Sequence, residues 1–486
     1  MNSLTELSPK NVWVHFARLC EIPRMSLHEE ELIKHLVKWA DARGIESKID
    51  GAGNLILRKT ASAGCEDSAP VVLQGHLDMV CQANSGISHD FLRDSIEAIV
   101  KDGWVTAENT TLGADNGIGV ALALAVLEEP DLTHPAIEVL LTVNEECGMD
   151  GARNLDPGTL QGKRLINLDT EEWGHFYLGC SGGMDVKIRY LSRQIKIPTG
   201  YSLVRFDVSG LRGGHSGIDI HLGRGNAIKL VAEALRDLCS SVDLFLVEMK
   251  GGSARNAIPR EAHALCALPD EIAASIDVWV RHRREAWQKR LALSDAGVEF
   301  TCTHFDSIPD SSVAKEDGDR ILAFLDTVPN GVSLTSQDFP GVTDTSGNLG
   351  VAALENEIFE AIIKVRSLHD ARTAALAEKL AGHARSYGLE ANKAGAYPAW
   401  TPDRNSPMLE VCQRVYAREF GKPAGLQVIH AGLECGLLAS SHPHLDMISF
   451  GPDIRGAHAP GESVEIESVG RCWRLLKALL QEMAKN

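Results

Sequence analysis

Four stretches of the chain carry apolar runs that stop abruptly at a polar or glycine-rich loop: residues 70–75, 137–143, 165–168 and 447–450. Short runs of this kind predict buried strands. Elsewhere the spacing is helical. Residues 27–43 repeat apolar positions at helical intervals, residues 117–127 are small and apolar, and residues 469–483 close the chain. The alternation predicts an α/β domain with a mixed, largely parallel sheet flanked by helices, in which ligands sit beyond the carboxyl ends of the strands.

The pattern changes between residues 188 and 397. Residues 203–208, 225–239, 244–248 and 261–267 read strand, helix, strand, strand, and a similar order returns at 298–303, 320–325, 350–354 and 358–366, followed by a helix at 371–384. This internal duplication predicts an inserted α+β lid domain with two similar halves. The first domain then comprises residues 1–187 and 398–486, its last strand and helix lying after the insertion. A chain of 486 residues is long enough for two cores.

Composition narrows the function more than the fold. Lys plus Arg number 48 against 66 Asp plus Glu, a net charge of -18 that repels nucleic-acid phosphates and anionic lipid heads. No acidic run concentrates that charge, so a solvated acidic surface accounts for it. No stretch of about 18 apolar residues predicts a membrane span, and the first 24 residues lack the apolar core of a secretion signal. Eleven scattered cysteines without a C-x-x-C pair predict free thiols in a reducing, cytoplasmic setting.

The candidate chemistry lies at strand ends. Taken singly, each residue has a structural use: His76 and Asp78 in a strand-end loop, Asp115 as a helix N-cap, Glu145 and Glu146 at a helix start, Asp169 and His458 in loops. Jointly they point elsewhere. All fall at or just past a predicted strand end or in the loop that follows, where one crevice collects them. Two histidines and three of these carboxylates suit two divalent ions sharing a carboxylate, with zinc favoured and manganese or cobalt as substitutes.

The runs His76-Leu77-Asp78-Met79-Val80, Gly113-Ala114-Asp115-Asn116-Gly117 and Glu145-Glu146, then Asp169 and His458, resemble the M20 metallopeptidases in order and spacing. More narrowly, Gly213-Gly214-His215-Ser216-Gly217, Arg255-Asn256-Ala257-Ile258-Pro259 and His430-Ala431-Gly432-Leu433-Glu434-Cys435-Gly436 resemble the aminoacyl-histidine dipeptidase branch. The likeness spans nearly the whole chain and departs at no ligand position. It implies a zinc-peptidase-like catalytic domain in which Asp115 bridges two metals, His76 and Asp169 hold one, and Glu146 and His458 hold the other. It further implies that Asp78 orients His76, that Glu145 is the general base, and that the peptide after Asp115 is cis.

The same resemblance implies His215 as a donor to the oxyanion; a glycine-flanked surface turn is its structural alternative. Arg366, at a predicted strand end, is suited to a bidentate grip on a substrate carboxylate, with Asn256 in the same region, although surface arginines are common and Asn256 could simply hold a turn. Gly432 lets backbone approach a substrate closely. The implied activity is hydrolysis of unblocked dipeptides, Xaa-His dipeptides included, by a homodimer. Its rivals are an M20 deacylase or carboxypeptidase acting on N-acyl amino acids and a non-catalytic metal-binding protein on the same fold. Retention of Glu145 beside all five ligands argues against the latter.

Overall fold

The computed structural model describes residues 3–485. The chain divides into two compact units: one comprises the chain up to Gly179, Trp400–Val428 and everything from Leu433 onward, the other Cys180–Ala399 with Ile429–Gly432.

The first unit is built on an eight-stranded sheet in the order Glu46–Ile49, Leu55–Lys59, Ile137–Thr142, Val71–His76, Arg164–Asn167, Asp446–Ser449, His175–Cys180, Gly425–Ile429. Its four central strands are the four predicted ones, and they run parallel. Every residue of Val71–His76 and Ile137–Thr142 is buried, which is why they read as continuous apolar runs rather than alternating ones. The margins are antiparallel, so "largely parallel" describes the centre of the sheet only. Strands Glu46–Ile49 and Leu55–Lys59 are joined by a tight turn, and a tight turn can only join antiparallel strands.

Helix Ala114–Glu128 follows Val71–His76 and is buried on all sides from Asn116 to Leu127. Asp115 and Asn116 lie within it but have non-helical backbone angles, so regular helix begins at Gly117, as predicted. The predicted 27–43 and 469–483 helices are Glu30–Asp41 and Ile466–Met483. A small four-stranded sheet, which apolar runs did not announce, joins Ile454–Arg455, Ser463–Glu465, Trp104–Thr106 and Ile99–Lys101 and fixes both ends of the loop carrying His458.

The main sheet of the second unit is antiparallel, in the order Glu299–Phe305, Tyr201–Ser209, Ala262–Pro269, Phe245–Gly251, Thr343–Glu355, Ile358–Ser367, Gly182–Leu191, Glu390–Tyr397, with Gly331–Thr335 added on Thr343–Glu355. Helices Ala227–Cys239, Lys315–Thr327 and Asp370–Ser386 contribute Ile228, Leu235, Ile321, Phe324, Leu376 and Leu380 to its core. The two halves read from the sequence meet where Met249–Gly251 pairs with Ala352–Leu354, so they share a single sheet. The expected boundaries at 187/188 and 397/398 shift outward. Strand Gly182–Leu191 pairs along its length with Ile358–Ser367 and also with Glu390–Tyr397, and the Ser181 N–H donates to the carbonyls of Ile429 and Ala431, both at 3.0 Å. Among the described residues no helix is long and apolar enough to cross a membrane, and all eleven cysteines are free.

Candidate metal centre and substrate-binding residues

One strand end and four further segments of the first unit supply the candidate ligands. His76 ends a central strand, and Asp169 lies two residues beyond the next, Arg164–Asn167. Glu145 and Glu146 open a single helical turn bounded by two left-handed residues, Asn144 (φ 54°) and Met149 (φ 55°). Asparagine tolerates that conformation and reverses the chain directly after the strand. Asp115 precedes the regular helix, and its peptide bond to Asn116 is cis. His458 also has left-handed backbone, φ 66°.

These residues converge. His76 Nε2 is 3.2 Å from Asp115 Oδ1 and 3.4 Å from Asp169 Oδ1, while His458 Nε2 is 3.1 Å from Asp115 Oδ2 and 3.2 Å from Glu146 Oε2. The two carboxylate oxygens of Asp115 therefore face two different imidazoles, each with its own second acid. Three overlapping donor groups form: His76 with Asp115 and Asp169, Asp115 with Glu146 and His458, and His76 with Glu145 and Glu146.

The crowding of charge sets the electrostatics of the site. Burial, then Asp169, Glu146 and Glu434, pushes the Glu145 carboxyl well up against the attraction of His76. Asp169 is pushed up to about 8, again first by burial and then by Asp115 and Glu434. The imidazoles answer in the other direction. His458 is pushed up to about 11 by its bonds to Asp115 and Glu146, and His76 lies well above its ordinary value because Asp169, Asp115 and Asp78 outweigh its burial. Buried carboxylates at this density require compensating positive charge, and Glu146 Oε1 is buried with no hydrogen-bond partner. The donor set fits divalent cations, which would replace protons on the imidazoles.

Asp78 acts on two sides. His76 Nδ1 bonds the Asp78 carbonyl at 3.1 Å and lies 3.5 Å from its Oδ1, and the carboxylate accepts from Ser26 Oγ (2.7 Å), the Glu145 N–H (3.0 Å) and the Glu146 N–H (3.1 Å). Although burial opposes ionisation, the His76, Ser26 and Glu145 bonds hold it down to about 2. One carboxylate thus fixes an imidazole and the turn that presents both glutamates.

Several supporting residues were not singled out in the sequence. Glu462 accepts from the N–H groups of Leu112, Gly113 and Asp115 at 2.8, 2.9 and 3.1 Å. Arg24, 2% exposed, donates to the carbonyls of Leu77 (2.9 Å), Asp78 (3.0 Å) and Gly113. Gly113 is required there, since a Cβ would lie 2.3 Å from the guanidinium, and its φ is 70°. Asn116 accepts from the His76 N–H and donates to the Leu168 carbonyl at 2.6 Å. Glu434, fully buried, accepts from Gln74 Nε2 and Thr142 Oγ1, both at 2.6 Å. Asn116 and Glu434 sit inside quoted motifs, whereas nothing about a lone Arg24 or Glu462 marks them as buried.

In the second unit, His215 belongs to a short strand pairing with Ala257–Ile258. Its Nδ1 accepts from the N–H groups of Gly217 (3.2 Å) and Ile218 (3.0 Å), which assigns the proton to Nε2. Burial and the Arg366 guanidinium push it down to about 4, so at neutral pH the ring is an uncharged Nε2–H donor. Arg366 Nη2 lies 3.3 Å from that nitrogen, Nη1 donates to Tyr397 Oη at 2.6 Å, and Nε reaches Ser216 Oγ at 3.4 Å. Two donors face each other, an arrangement that suits an oxygen accepting from both. His430 bonds Ser346 Oγ at 2.7 Å, leaves Nδ1 buried without a partner, and is pushed down to about 3 by burial and Arg366. Asn256 is exposed and gives its carbonyl to the Ser216 N–H at 2.8 Å. Gly432 ends the segment Ile429–Gly432, which belongs to this unit.

Known proteins share this organisation. Residues 72–482 match peptidase family M20/M25/M40. The cytosol non-specific dipeptidase of Escherichia coli (strain K12) is 42% identical over 485 residues, 99% of each chain. The crystal structure of aminoacylhistidine dipeptidase from Vibrio alginolyticus aligns with a TM-score of 0.88 at 40% identity, covering 98% of this chain and 97% of that one. A tripeptidase from Staphylococcus aureus subsp. aureus mu50 shares the fold at 16% identity, with a TM-score of 0.56 over 99% and 100% of the two chains. The chain belongs to peptidase family M20/M25/M40.

Proposed function

We propose that this peptidase hydrolyses unblocked dipeptides, Xaa-His dipeptides among them, using two divalent cations, zinc in the cell, with manganese or cobalt able to substitute. The observation that carries the proposal is the placement of Asp115, one carboxylate oxygen towards His76 and the other towards His458, each with a separate acid partner. His76, Asp169 and Asp115 would hold one ion; Asp115, Glu146 and His458 would hold the other. When bound, the ions supply an acidified water and polarise the scissile carbonyl.

The residues divide the remaining work. Glu145 takes a proton from the attacking water and passes it to the leaving amine; bound cations would oppose the burial and like-charge effects that push its carboxyl up. Asp78 holds His76 and the Glu145–Glu146 turn in place. His215 donates its Nε2–H to the developing oxyanion, a role its tautomer supports. Arg366 binds the substrate's terminal carboxylate, with Asn256 and Gly432 contacting the same substrate. The second unit, which contains the expected residues 188–397, would then be the substrate-binding domain. A cytoplasmic location is supported by the likeness to the cytosol non-specific dipeptidase of Escherichia coli and by the free thiols; a homodimer rests on the family resemblance and is tested by sedimentation.

The deciding assay uses protein stripped of metal and reloaded with zinc, manganese or cobalt, then offered dipeptides, tripeptides and N-acetylated dipeptides. Metal-dependent cleavage confined to free dipeptides is expected. Preference for the acetylated substrates would replace this reading with that of a deacylase.

A further inference from the structure

Among the described residues, one further group of metal-ligating side chains converges, and none of its members is assigned above: Asp277, Cys302 and His304. All three belong to the second unit. Strand Glu299–Phe305 lies at one end of the nine-stranded sheet, paired with Tyr201–Ser209. Alternation along the strand puts Phe300, Cys302 and His304 on one face. Helix Ile276–Arg290 packs on that face: the Phe300 ring lies 5.8 Å from Trp279 and 4.8 Å from Trp287, centroid to centroid, and Gln288 Nε2 donates to the Val298 carbonyl at 3.1 Å. Helix and strand therefore run in opposite directions. The first turn of the helix, which carries Asp277, meets the far end of the row, where the apolar residues have given way to a thiol and an imidazole.

Cys302 Sγ lies 3.4 Å from Asp277 Oδ1, and His304 Nε2 lies 3.4 Å from Asp277 Oδ2. In a tetrahedral zinc site, with bonds of about 2.3 Å to sulfur and about 2.0 Å to nitrogen or oxygen, adjacent donors are roughly 3.3–3.6 Å apart. Each separation falls in that range, Cys302 to one carboxylate oxygen and His304 to the other, and one donor atom from each of the three residues lies within 4.8 Å of the other two, so closing on an ion takes only side-chain adjustment. Sulfur, imidazole and carboxylate together suit a borderline-soft divalent cation rather than calcium or magnesium.

We propose that Asp277, Cys302 and His304 bind one zinc-class cation, with water in the fourth position, and that this ion clips the edge strand Glu299–Phe305 to helix Ile276–Arg290. Binding breaks the Cys302 S–H bond, releases that proton to solvent and forms a sulfur–metal bond, with no change in oxidation state. Burial and the Asp277 carboxylate push the Cys302 thiol up to about 12; a bound cation reverses that preference.

Cobalt distinguishes this site from the proposed catalytic pair, because a cobalt–thiolate bond gives a charge-transfer absorption and none of the paired ligands is a cysteine. Stripped, reduced full-length protein titrated with Co²⁺ should show this band with the amplitude of one thiolate-bound ion per chain, complete once about three equivalents have been added, since the proposed pair takes the other two. The band should persist in His76→Ala, disappear in Cys302→Ser and weaken in His304→Ala and Asp277→Asn, while Cys302→Ser retains the wild-type circular dichroism and peptidase activity. No thiolate band in excess Co²⁺, or one that survives Cys302→Ser, overturns the proposal. Either result leaves the dipeptidase reading to its own assay.

Discussion

The candidate metal centre of the first unit and the Arg366 cluster of the second are opposites in charge. Around Asp115, buried carboxylates crowd together, and the imidazoles among them are driven towards protonation. Around Arg366, 5% exposed, a buried guanidinium drives His215 and His430 towards neutrality. The same residue type is therefore tuned in opposite directions by its neighbours. In the first unit the histidines lie where cations would displace protons; in the second, His215 is a fixed uncharged donor beside a fixed cation. One region is suited to receive positive charge and the other to receive oxygen or negative charge.

The strongest way to break this comparison is at the adjacent glutamates. Glu145→Gln preserves shape but cannot accept a proton, so both metals should remain while kcat falls by ~10² to 10⁴. Glu146→Ala should instead lose metal from the half of the site containing His458, read by metal analysis after dialysis. The opposite pattern would exchange their roles. Next in size, His215→Ala should lower kcat by ~10² or more with metal content unchanged; wild-type turnover would remove His215 from the chemistry.

A smaller effect is expected at Arg366. Its replacement by Ala should raise KM for dipeptides and narrow their advantage over dipeptide amides, through loss of a charge-assisted bond worth ~1.5 to 3 kcal/mol. Equal losses on both substrates would indicate structural damage. Acidification tests the first region directly. Because His76 and His458 hold protons tightly when no cation is present, protons and metal compete, and metal affinity should fall as pH falls; dialysis at about pH 7 and at about pH 5, followed by metal analysis, measures this. The subtlest test concerns the second region. Removing the guanidinium in Arg366→Ala removes a like charge, so the His215 titration midpoint, followed by NMR, should move up from about 4 towards the ordinary value. An unmoved midpoint would mean that burial alone keeps the ring neutral.

The sequence disclosed these two regions unequally, for physical reasons. The central strands and the helix from Gly117 are legible because burial on both sides leaves unbroken apolar runs, and the ligand candidates stand where those runs stop. Strand Glu46–Ile49 is not legible, since three of its four residues are exposed and it carries little apolar signal. Arg24 and Glu462 escaped notice because charged residues usually face water, and only the folded chain reveals that each satisfies several backbone groups. The boundary of the second unit was missed for a related reason. Strand Gly182–Leu191 follows directly on His175–Cys180, so no linker marks where one sheet ends and the next begins.

Asp78 has a consequence for how substitutions combine. Because its carboxylate fixes both His76 and the turn bearing Glu145 and Glu146, damage there spreads to proton transfer and metal retention together. Asp78→Asn and Glu145→Gln should therefore not be additive: the double variant should be less impaired than the product of the two single effects. A position of this kind permits little independent drift in the loops it joins, since a change tolerated by one must also suit the other.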